Sequence, residues 1–197
     1  MPCWESGENM KYDEFFSTPL GKKIIEKEAK YVVENLDGKM AVSIGCGTGI
    51  IEKRIMELRE IEIIGVEIND EMIEMAEKRL NVIKADAKSL PFKNSVFDSA
   101  IFITSLEFID DYKEAINEAY RVLREGGEII SVLLNTSSPY FKKRYERNGY
   151  IRRNIKHLDI GNIITYITKK FLIEKKEVFG IENGEEVYGI KGKNRKS

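Results

Sequence analysis

The chain has 197 residues, of which 42% are hydrophobic and 33% charged, with a formal net charge of -1. This composition is typical of a folded globular protein and excludes a disordered or fibrous chain. No apolar run approaches the roughly 20 residues of a membrane-spanning helix, and the start lacks a signal-peptide layout. We therefore expect a cytoplasmic protein, without a general charge attraction to nucleic acid or membranes.

Cysteine use and residue bias narrow the class further. Cys3 and Cys46 are the only cysteines in the sequence. Two thiols so placed suggest neither a disulfide framework nor a zinc site, and no metal is predicted. The chain contains 25 Glu, 22 Lys, 27 Ile and no Gln. This bias resembles that of proteins from hot environments, where ion-pair networks gain value.

Strand-like and helix-like segments alternate along most of the chain. The predicted helices cover residues 22–36, 50 to about 59, 70–80 and about 111–123, with a final helix after residue 158. The predicted strands are 40–44, 61–67, 82–85, 97–104, 128–134, 171–179 and 186–190. The last two, with a turn at Asn183 and Gly184, indicate an antiparallel hairpin at a sheet edge. The order predicts an α/β fold with a doubly wound, mainly parallel seven-stranded sheet.

Three glycines separate the first strand from the next helix. Gly45, Gly47 and Gly49 let the chain turn sharply and bring main-chain N–H groups to a ligand at the helix N-terminus. Glu67 ends the following strand, where a carboxylate can accept hydrogen bonds from ribose hydroxyls. The pair predicts a bound nucleoside; the alternative is a tight turn without a ligand. A dinucleotide fingerprint would place its third glycine at residue 50, which disfavours a nicotinamide-dependent oxidoreductase.

Several segments resemble one enzyme family. Residues 42–49 (VSIGCGTG) are similar to motif I of the class I S-adenosylmethionine (SAM)-dependent methyltransferases. Later motifs of that family resemble 65–72 (GVEINDEM), 84–92 (KADAKSLPF), 97–98 with 105–110, and 123–127 (LREGG). Residues 12–21 resemble the amino-terminal cap of small-molecule members close to the type 11 group. Ser43 departs from the acidic residue common in relatives, so we expect a local bond there and a less ordered loop.

This resemblance implies the Rossmann-like fold, SAM as methyl donor and S-adenosylhomocysteine (SAH) as product. It implies that Glu67 holds the ribose, Met72 packs on adenine, and Asp86 binds the adenine amino group. Tyr12 would cover the methionine end of SAM, with simple packing as its alternative. For Cys46 the preferred interpretation is a small packed residue of the loop. The full set of implied cofactor-binding residues is Tyr12, Gly45, Cys46, Gly47, Gly49, Glu67, Ile68, Met72, Asp86, Ala87, Phe102 and Ile103.

The implied domain plan has four parts within one domain of 1–197. Residues 1–36 form an amino-terminal cap and helix, and 39–134 form the SAM-binding core. Residues 136–157 form a substrate-cap insertion, and 158–191 form the final helix and the edge hairpin. The basic end, 191–197, is expected to be frayed.

The family's reaction is an in-line displacement, for which a catalytic base is optional. Two residues are candidates for that base. Glu107 follows the fourth strand, and its alternative is a solvated carboxylate at a helix start. His157 is the only histidine, and its alternative is a surface or structural role.

Residues 142–157 carry seven Lys or Arg against one Glu, with aromatic residues between them. We interpret this segment as an anion-binding cover, and Tyr140, Arg152 and Arg153 as candidate substrate contacts. The acceptor would then be a small anionic metabolite. A solvated basic helix face, an RNA-modifying enzyme and a non-catalytic SAM-binding subunit are the alternatives; the neutral net charge disfavours nucleic acid. No feature predicts the accepting atom or the oligomeric state.

Overall fold

The computed structural model describes residues 12–147, 149–181 and 184–195. Its single sheet has seven strands in the order β3-β2-β1-β4-β5-β7-β6. The strands are β1 Met40–Ile44, β2 Glu62–Glu67, β3 Asn81–Lys84, β4 Phe97–Ile103, β5 Leu123–Leu134, β6 Phe171–Phe179 and β7 Val187–Asn194. Strands β1 to β5 pair in parallel, and β7 is antiparallel to both β5 and β6. The predicted fold, including the antiparallel hairpin, is confirmed.

Eight helices lie in the described residues: α1 Tyr12–Ser17, α2 Pro19–Asn35, α3 Ile50–Leu58, α4 Asp70–Ala76, α5 Tyr112–Val122, α6 Pro139–Glu146, α7 Tyr150–Asn154 and α8 Ile160–Lys170. A short 3-10 turn, Leu106–Phe108, follows β4. None of the described helices is long and apolar enough to cross a membrane.

The helices form a layer on each face of the sheet. Helices α2 and α3 pack with Ile63, Ile101 and Ile130 on one face. Helices α5 and α8 pack with Val42 and Phe102 on the other face. Strand β4 is covered on both sides, which explains why its sequence is an almost continuous apolar run rather than an alternating one.

The carboxyl ends of the parallel strands meet at one edge, where β1 lies between β2 and β4. Chain connections leave this point in opposite directions, and open α/β sheets bind ligands in the crevice so created. The glycine loop, Glu67 and Glu107 all follow strands at this edge. The fold therefore brings the glycine loop, Glu67 and Glu107 together at the carboxyl ends of the strands.

Helix boundaries follow local signals. Thr18 caps α2 by accepting a hydrogen bond from the Gly21 main-chain N at 3.1 Å, and Pro19 occupies the first turn. Helix α4 ends at Ala76, not at Leu80 as predicted, because turns follow. Leu80 still packs in the core beside Ala76.

Two predicted boundaries near the sheet centre are wrong. Strand β5 begins at Leu123, before the glycine pair, because Leu123 pairs with Phe97 ahead of a register shift. Strand β7 runs to Asn194, so the chain up to that residue is not frayed. Lys191 lies in β7 and its Nζ is 3.1 Å from Glu128 Oε2 and 2.8 Å from Asp37 Oδ2. The predicted turn residue 183 and residues 196–197 lie outside the described ranges.

Gly189 on β7 offers a test of this packing. A Cβ at this position would lie 2.2 Å from Tyr31 Cζ, and Tyr31 is buried against Phe179. We expect Gly189→Ala to lower the free energy of unfolding by about 1–3 kcal/mol through overpacking. Gly149→Ala is the control, because a Cβ there meets nothing within 4 Å. Urea unfolding checks this, and equal stabilities of the two variants would contradict the packing described.

Candidate active site

The glycine loop leaves β1 with main-chain N–H groups directed at the neighbouring strand. Gly45 N and Cys46 N donate to Val66 O at 2.8 and 3.1 Å. Gly49, at φ 70°, begins α3, and a Cβ there would lie 2.2 Å from Leu80 Cδ2. At Gly47, φ is 55°, and a Cβ would meet nothing within 4 Å. The main chain at Gly47 is thus open to an approaching ligand, whereas Gly49 is required by packing.

Glu67 joins this loop to the end of β2. Its Oε2 accepts a hydrogen bond from Gly47 N at 2.9 Å, and its Oε1 accepts from Ile68 N and Asn69 N at 2.8 and 3.0 Å. The side chain is half-buried. A carboxylate has about four acceptor positions, so one position remains for a ligand hydroxyl.

The residues that the family resemblance assigns to the adenine side follow β2 and β3. Ile68 is 60% exposed, which is unusual for an isoleucine beside a polar cleft and suits contact with a flat ring. Met72 and Ala87 are half-buried. Asp86 Oδ1 accepts from Lys88 N at 2.9 Å, and its Oδ2 lies 3.5 Å from Lys88 Nζ.

Other predicted cofactor residues contribute packing. Phe102 is fully buried in the core and Ile103 is 7% exposed, so their side chains support the cleft from below. Cys46 is also buried, and desolvation together with the charges of Glu52 and Glu67 raises the pKa of its thiol. This favours the interpretation of Cys46 as a small packed residue. The side chain of Tyr12 lies outside the described residues.

The buried acid next to the start of the glycine loop belongs to helix α3, not to strand β1. Ser43, in β1, donates through Oγ to Glu52 Oε1 at 2.7 Å. Glu52 lies in the first turn of α3 and is 2% exposed. The local bond expected for Ser43 is therefore present, with a partner that the sequence analysis did not name.

Glu52 is one of three buried carboxyl groups, which we call the carboxyl cluster: Glu28 on α2, Glu52 on α3 and Glu107 after β4. All three are at most 2% exposed. Burial raises the pKa of Glu107 and of Glu52 to about 7. Burial, with the charges of Glu107 and Glu52, raises the pKa of Glu28 to about 8. The alternative of a solvated carboxylate at Glu107 is therefore wrong.

The orientation of Glu107 is set by the end of β5. Its Oε1 accepts from Leu134 N at 2.5 Å, whereas its Oε2 is buried with no hydrogen-bond partner among the described residues. Sequence analysis missed Glu28 and Glu52. The available signal was a charged residue on an apolar stripe, since Glu28 lies between Ile24 and Val32 at helical spacing.

His157 ties the segment after α7 to the loop after β4. Its Nε2 lies 2.9 Å from Ile109 O and 3.1 Å from Asp110 O, and its ring contacts Tyr112 edge to face. Its main-chain N donates to Glu107 O at 3.1 Å. A ring N–H that donates to carbonyl oxygens favours a structural role for His157.

Helices α1, α6 and α7 form what we call the cap, and α1 is linked to the glycine loop through Arg79. Arg79 pairs with Asp13 on α1 and donates to Thr48 O at 2.7 Å. The Arg144 guanidinium on α6 lies 4.5 Å from the centre of the Phe15 ring. Arg144 also donates to the Tyr140 hydroxyl at 2.6 Å, so Tyr140 takes part in packing within the cap.

Helix α7 brings Tyr150 towards the cleft. Tyr150 is 49% exposed, and its ring centre is 5.9 Å from that of Phe108, in the turn after β4. Sequence analysis noted Tyr150 only as one of several aromatic residues in the basic segment. Arg152 lies over the Tyr145 ring at 5.3 Å, and Arg153 is exposed. The predicted substrate residues thus occupy α7, which contacts the turn after β4 through Tyr150 and Phe108, and the neighbouring helix α6.

Known proteins share these features. A family model described as a methyltransferase domain matches residues 42–131. The uncharacterized protein MJ1123 of Methanocaldococcus jannaschii is 33% identical over 174 residues, covering 88% of this chain and 78% of that protein. The chain is a class I SAM-dependent methyltransferase. SAM fits the site of this methyltransferase, because Gly47 is open, Glu67 retains an acceptor position and Ile68 is exposed beside it.

Two further relatives differ in how much they share with this methyltransferase. O-methyltransferase rstn1 of Aspergillus nomiae is 28% identical over 135 residues, and the match spans 58% of that protein. A solved SAM-dependent methyltransferase from Thermotoga maritima, described as a possible histamine N-methyltransferase, superposes with a TM-score of 0.76 at 26% identity. That match covers 93% of this chain and 95% of the other, so the likeness includes the cap region.

Removing the Glu67 carboxylate tests the ribose contact. We expect Glu67→Ala to weaken SAM binding by about 1.5–3 kcal/mol, the scale for losing a charged hydrogen-bond partner. Glu62→Ala, at the exposed start of the same strand, should leave the dissociation constant unchanged. Calorimetric titration measures both, with circular dichroism as a check of folding. Equal affinities for the two variants would mean that the ribose is held elsewhere.

The carboxyl cluster makes stability depend on pH. The ordinary glutamate pKa is 4.5, and that of Glu28 is about 8 in the folded protein. The folded state therefore binds more protons than the unfolded state, and stability falls as pH rises from about 4.5 to 8. Glu28→Gln should reduce this loss of unfolding free energy by about 1.4 kcal/mol for each unit by which folding raises the pKa of Glu28.

Glu34→Gln, on the exposed side of the same helix, is the control and should keep the wild-type slope. Unfolding in urea at several pH values provides the measurement. A wild-type stability that rises across this window would show that the cluster ionises without cost.

Proposed function

We propose that this methyltransferase methylates a small anionic acceptor held between the glycine-loop cleft and the cap. The observation that carries the proposal is the pair of hydrogen bonds that Glu107 O accepts from Lys156 N and His157 N, at 2.8 and 3.1 Å. They fix the segment that follows α7, and with it Arg152 and Arg153, at the loop after β4, on the cofactor side of the molecule. Guanidinium groups form strong paired hydrogen bonds with carboxylates and phosphates.

The cap limits the size of the acceptor. Helices α1 and α6 contact each other through Arg144 and Phe15, beside the glycine loop. The two helices therefore cover the molecule next to the glycine loop, which leaves room for a metabolite more readily than for a folded RNA. The names of relatives, among them a possible histamine N-methyltransferase and demethylmenaquinone methyltransferases, also support a small molecule.

When bound, SAM supplies a methyl group activated by a positively charged sulfur. The residues of this chain then have three tasks. The open main chain at Gly47 and the carboxylate of Glu67 orient the nucleoside. The cap excludes water and holds the acceptor in line with the methyl group, where alignment lowers the barrier most.

Neither predicted base is assigned a contact with the acceptor. His157 is engaged with two carbonyl oxygens, and Glu107 is fully buried with one oxygen bound by the main chain. Because the sulfonium already activates the methyl group, alignment without a dedicated base is sufficient for an acceptor that is ionised in solution. A carboxylate or phosphate acceptor meets that condition at neutral pH.

The acceptor class can be found by measuring methyl transfer from labelled SAM. Pools of small carboxylates, phosphate esters, amines and tRNA would be compared, with mass spectrometry of the product. The proposal requires incorporation into an acid pool. Methylation of amines or tRNA alone would overturn it.

Once the acceptor is known, the basic residues of α7 give a sharper test. We expect Arg152→Ala with Arg153→Ala to raise KM for the acceptor roughly ten- to a hundredfold, if each loses about 1 kcal/mol of pairing. SAM affinity should stay the same, since Glu67 and the glycine loop are intact. Lys27→Ala with Lys30→Ala removes the same charge from the exposed side of α2. If both double variants share one KM, the basic patch is a solvated face.

A further inference from the structure

The carboxyl cluster has no positive partner. None of the described lysines or arginines forms an ion pair with Glu28, Glu52 or Glu107, although all three carboxyl groups are buried. Glu28 Oε2 and Glu107 Oε2 accept no hydrogen bond from the described residues. Burying an unpaired carboxylate is costly, and three in one place repel each other. A buried group of this kind either holds protons or faces a positive ligand.

The groups around the cluster add no positive charge. From the glycine loop the Cys46 thiol faces Glu52, and from the end of β2 the Glu67 carboxylate acts on it. From β1, Ser43 donates its hydroxyl proton to Glu52. On α2 the lysines nearest to Glu28 in sequence, Lys27 and Lys30, are exposed. Among the described residues, the charged groups that raise the pKa values of Glu28 and Glu52 are all carboxylates.

Two members of the cluster, Glu52 and Glu107, lie next to the strand ends that form the cofactor cleft. Glu52 is hydrogen-bonded to Ser43, two residues before Gly45. Its charge raises the pKa of the Cys46 thiol, and the charge of Glu67 helps to raise the pKa of Glu52. Glu107 follows Ser105, which donates to Ile44 O at 2.8 Å at the end of β1. A positive charge in the cleft would act on the cluster in turn, because coupling between charges is mutual and is only weakly screened in a protein interior.

We propose that the carboxyl cluster distinguishes SAM from SAH by charge: it releases protons when SAM binds and takes them up again when the sulfur loses its positive charge. Glu28, Glu52 and Glu107 are thereby specificity-determining residues for the cofactor. The proposal rests on the use of SAM alone. It does not depend on the anionic acceptor, so the two can fail separately.

The charge balance is simple. SAM and SAH share the same ammonium and carboxylate groups, and differ by the methyl group and the positive charge on sulfur. In the transfer the S–CH3 bond breaks, its electron pair stays on sulfur, and the methyl carbon bonds to the acceptor. The sulfur becomes neutral, and the cluster regains a proton from water. SAH then faces a neutral cluster and loses the attraction that held SAM.

This linkage predicts that the affinity for SAM depends on pH in a way that the affinity for SAH does not. As pH rises the cluster ionises more readily, so its attraction for SAM grows, whereas SAH has no charge at sulfur to gain from it. The ratio Kd(SAH)/Kd(SAM) cancels the groups that the ligands share. We expect this ratio to rise about tenfold between about pH 5.5 and 8.5, as follows if the sulfonium lowers the cluster's pKa by one unit.

The test is calorimetric titration of the intact chain with SAM and with SAH, in buffers of different ionisation enthalpy. SAM binding near pH 7 should release a measurable fraction of a proton, and SAH binding clearly less. Sinefungin, in which an amine replaces the methylsulfonium, carries a positive charge and should behave like SAM. A pH-independent ratio, or equal proton release for SAM and SAH, would overturn the proposal.

Variants locate the effect. Glu52→Gln and Glu28→Gln should each reduce the rise of the ratio while SAH still binds, because glutamine resembles a protonated glutamate in shape. Glu28 lies on α2, away from the glycine loop, so its variant remains informative if Glu52→Gln disturbs the loop. Glu60→Gln, an exposed residue after α3, is the control and should retain the wild-type rise. A full rise in both cluster variants would show that other groups titrate.

Discussion

The hydrogen bond from Gly47 N to the Glu67 carboxylate links the two strand ends on which the site depends. It closes the turn after β1 against the end of β2, and the same carboxylate shapes the next turn through Ile68 and Asn69. A neutral side chain at this position could accept fewer of these bonds. The acid therefore shapes the loop before any ligand arrives, and the geometry that would meet a ribose is already formed.

The cleft has opposite charge on its two sides. Beneath the glycine loop lies a group of buried acids without a described cation, and beyond it α6 and α7 carry arginines and lysines. A donor that is positive at sulfur and an acceptor that is negative suit such an arrangement. Stabilising the charged donor makes its ground state more stable, which slows transfer somewhat. In return, the neutral product SAH is bound less tightly, so that it dissociates and a new SAM can bind.

Much of the fold follows from sequence periodicity, whereas the acids of the site do not. Strands β1 and β6 have the predicted bounds, because apolar or alternating runs there are flanked by turn residues. The length of β7 was missed because its second half, Lys191–Asn194, is polar. Lys191 is accommodated in the sheet because its ammonium group forms ion pairs with Asp37 and Glu128, which are distant in sequence. Glu28 could have been found from its place on the apolar stripe of α2, whereas the contact of Tyr150 comes from Phe108 on another element.

The position of β7 has a consequence for how the chain is made. Strand β7 inserts between β5 and β6, although both are synthesised before it. Until then, β5 presents an unpaired edge of apolar residues, and β6 has no partner within the sheet. During translation the nascent protein would thus hold an open β edge while the segment 135–186 emerges, a state prone to pairing with other chains. The charged residues spaced along β6, such as Glu174 and Lys176, would make the unpaired β6 itself a poor template for aggregation in that interval.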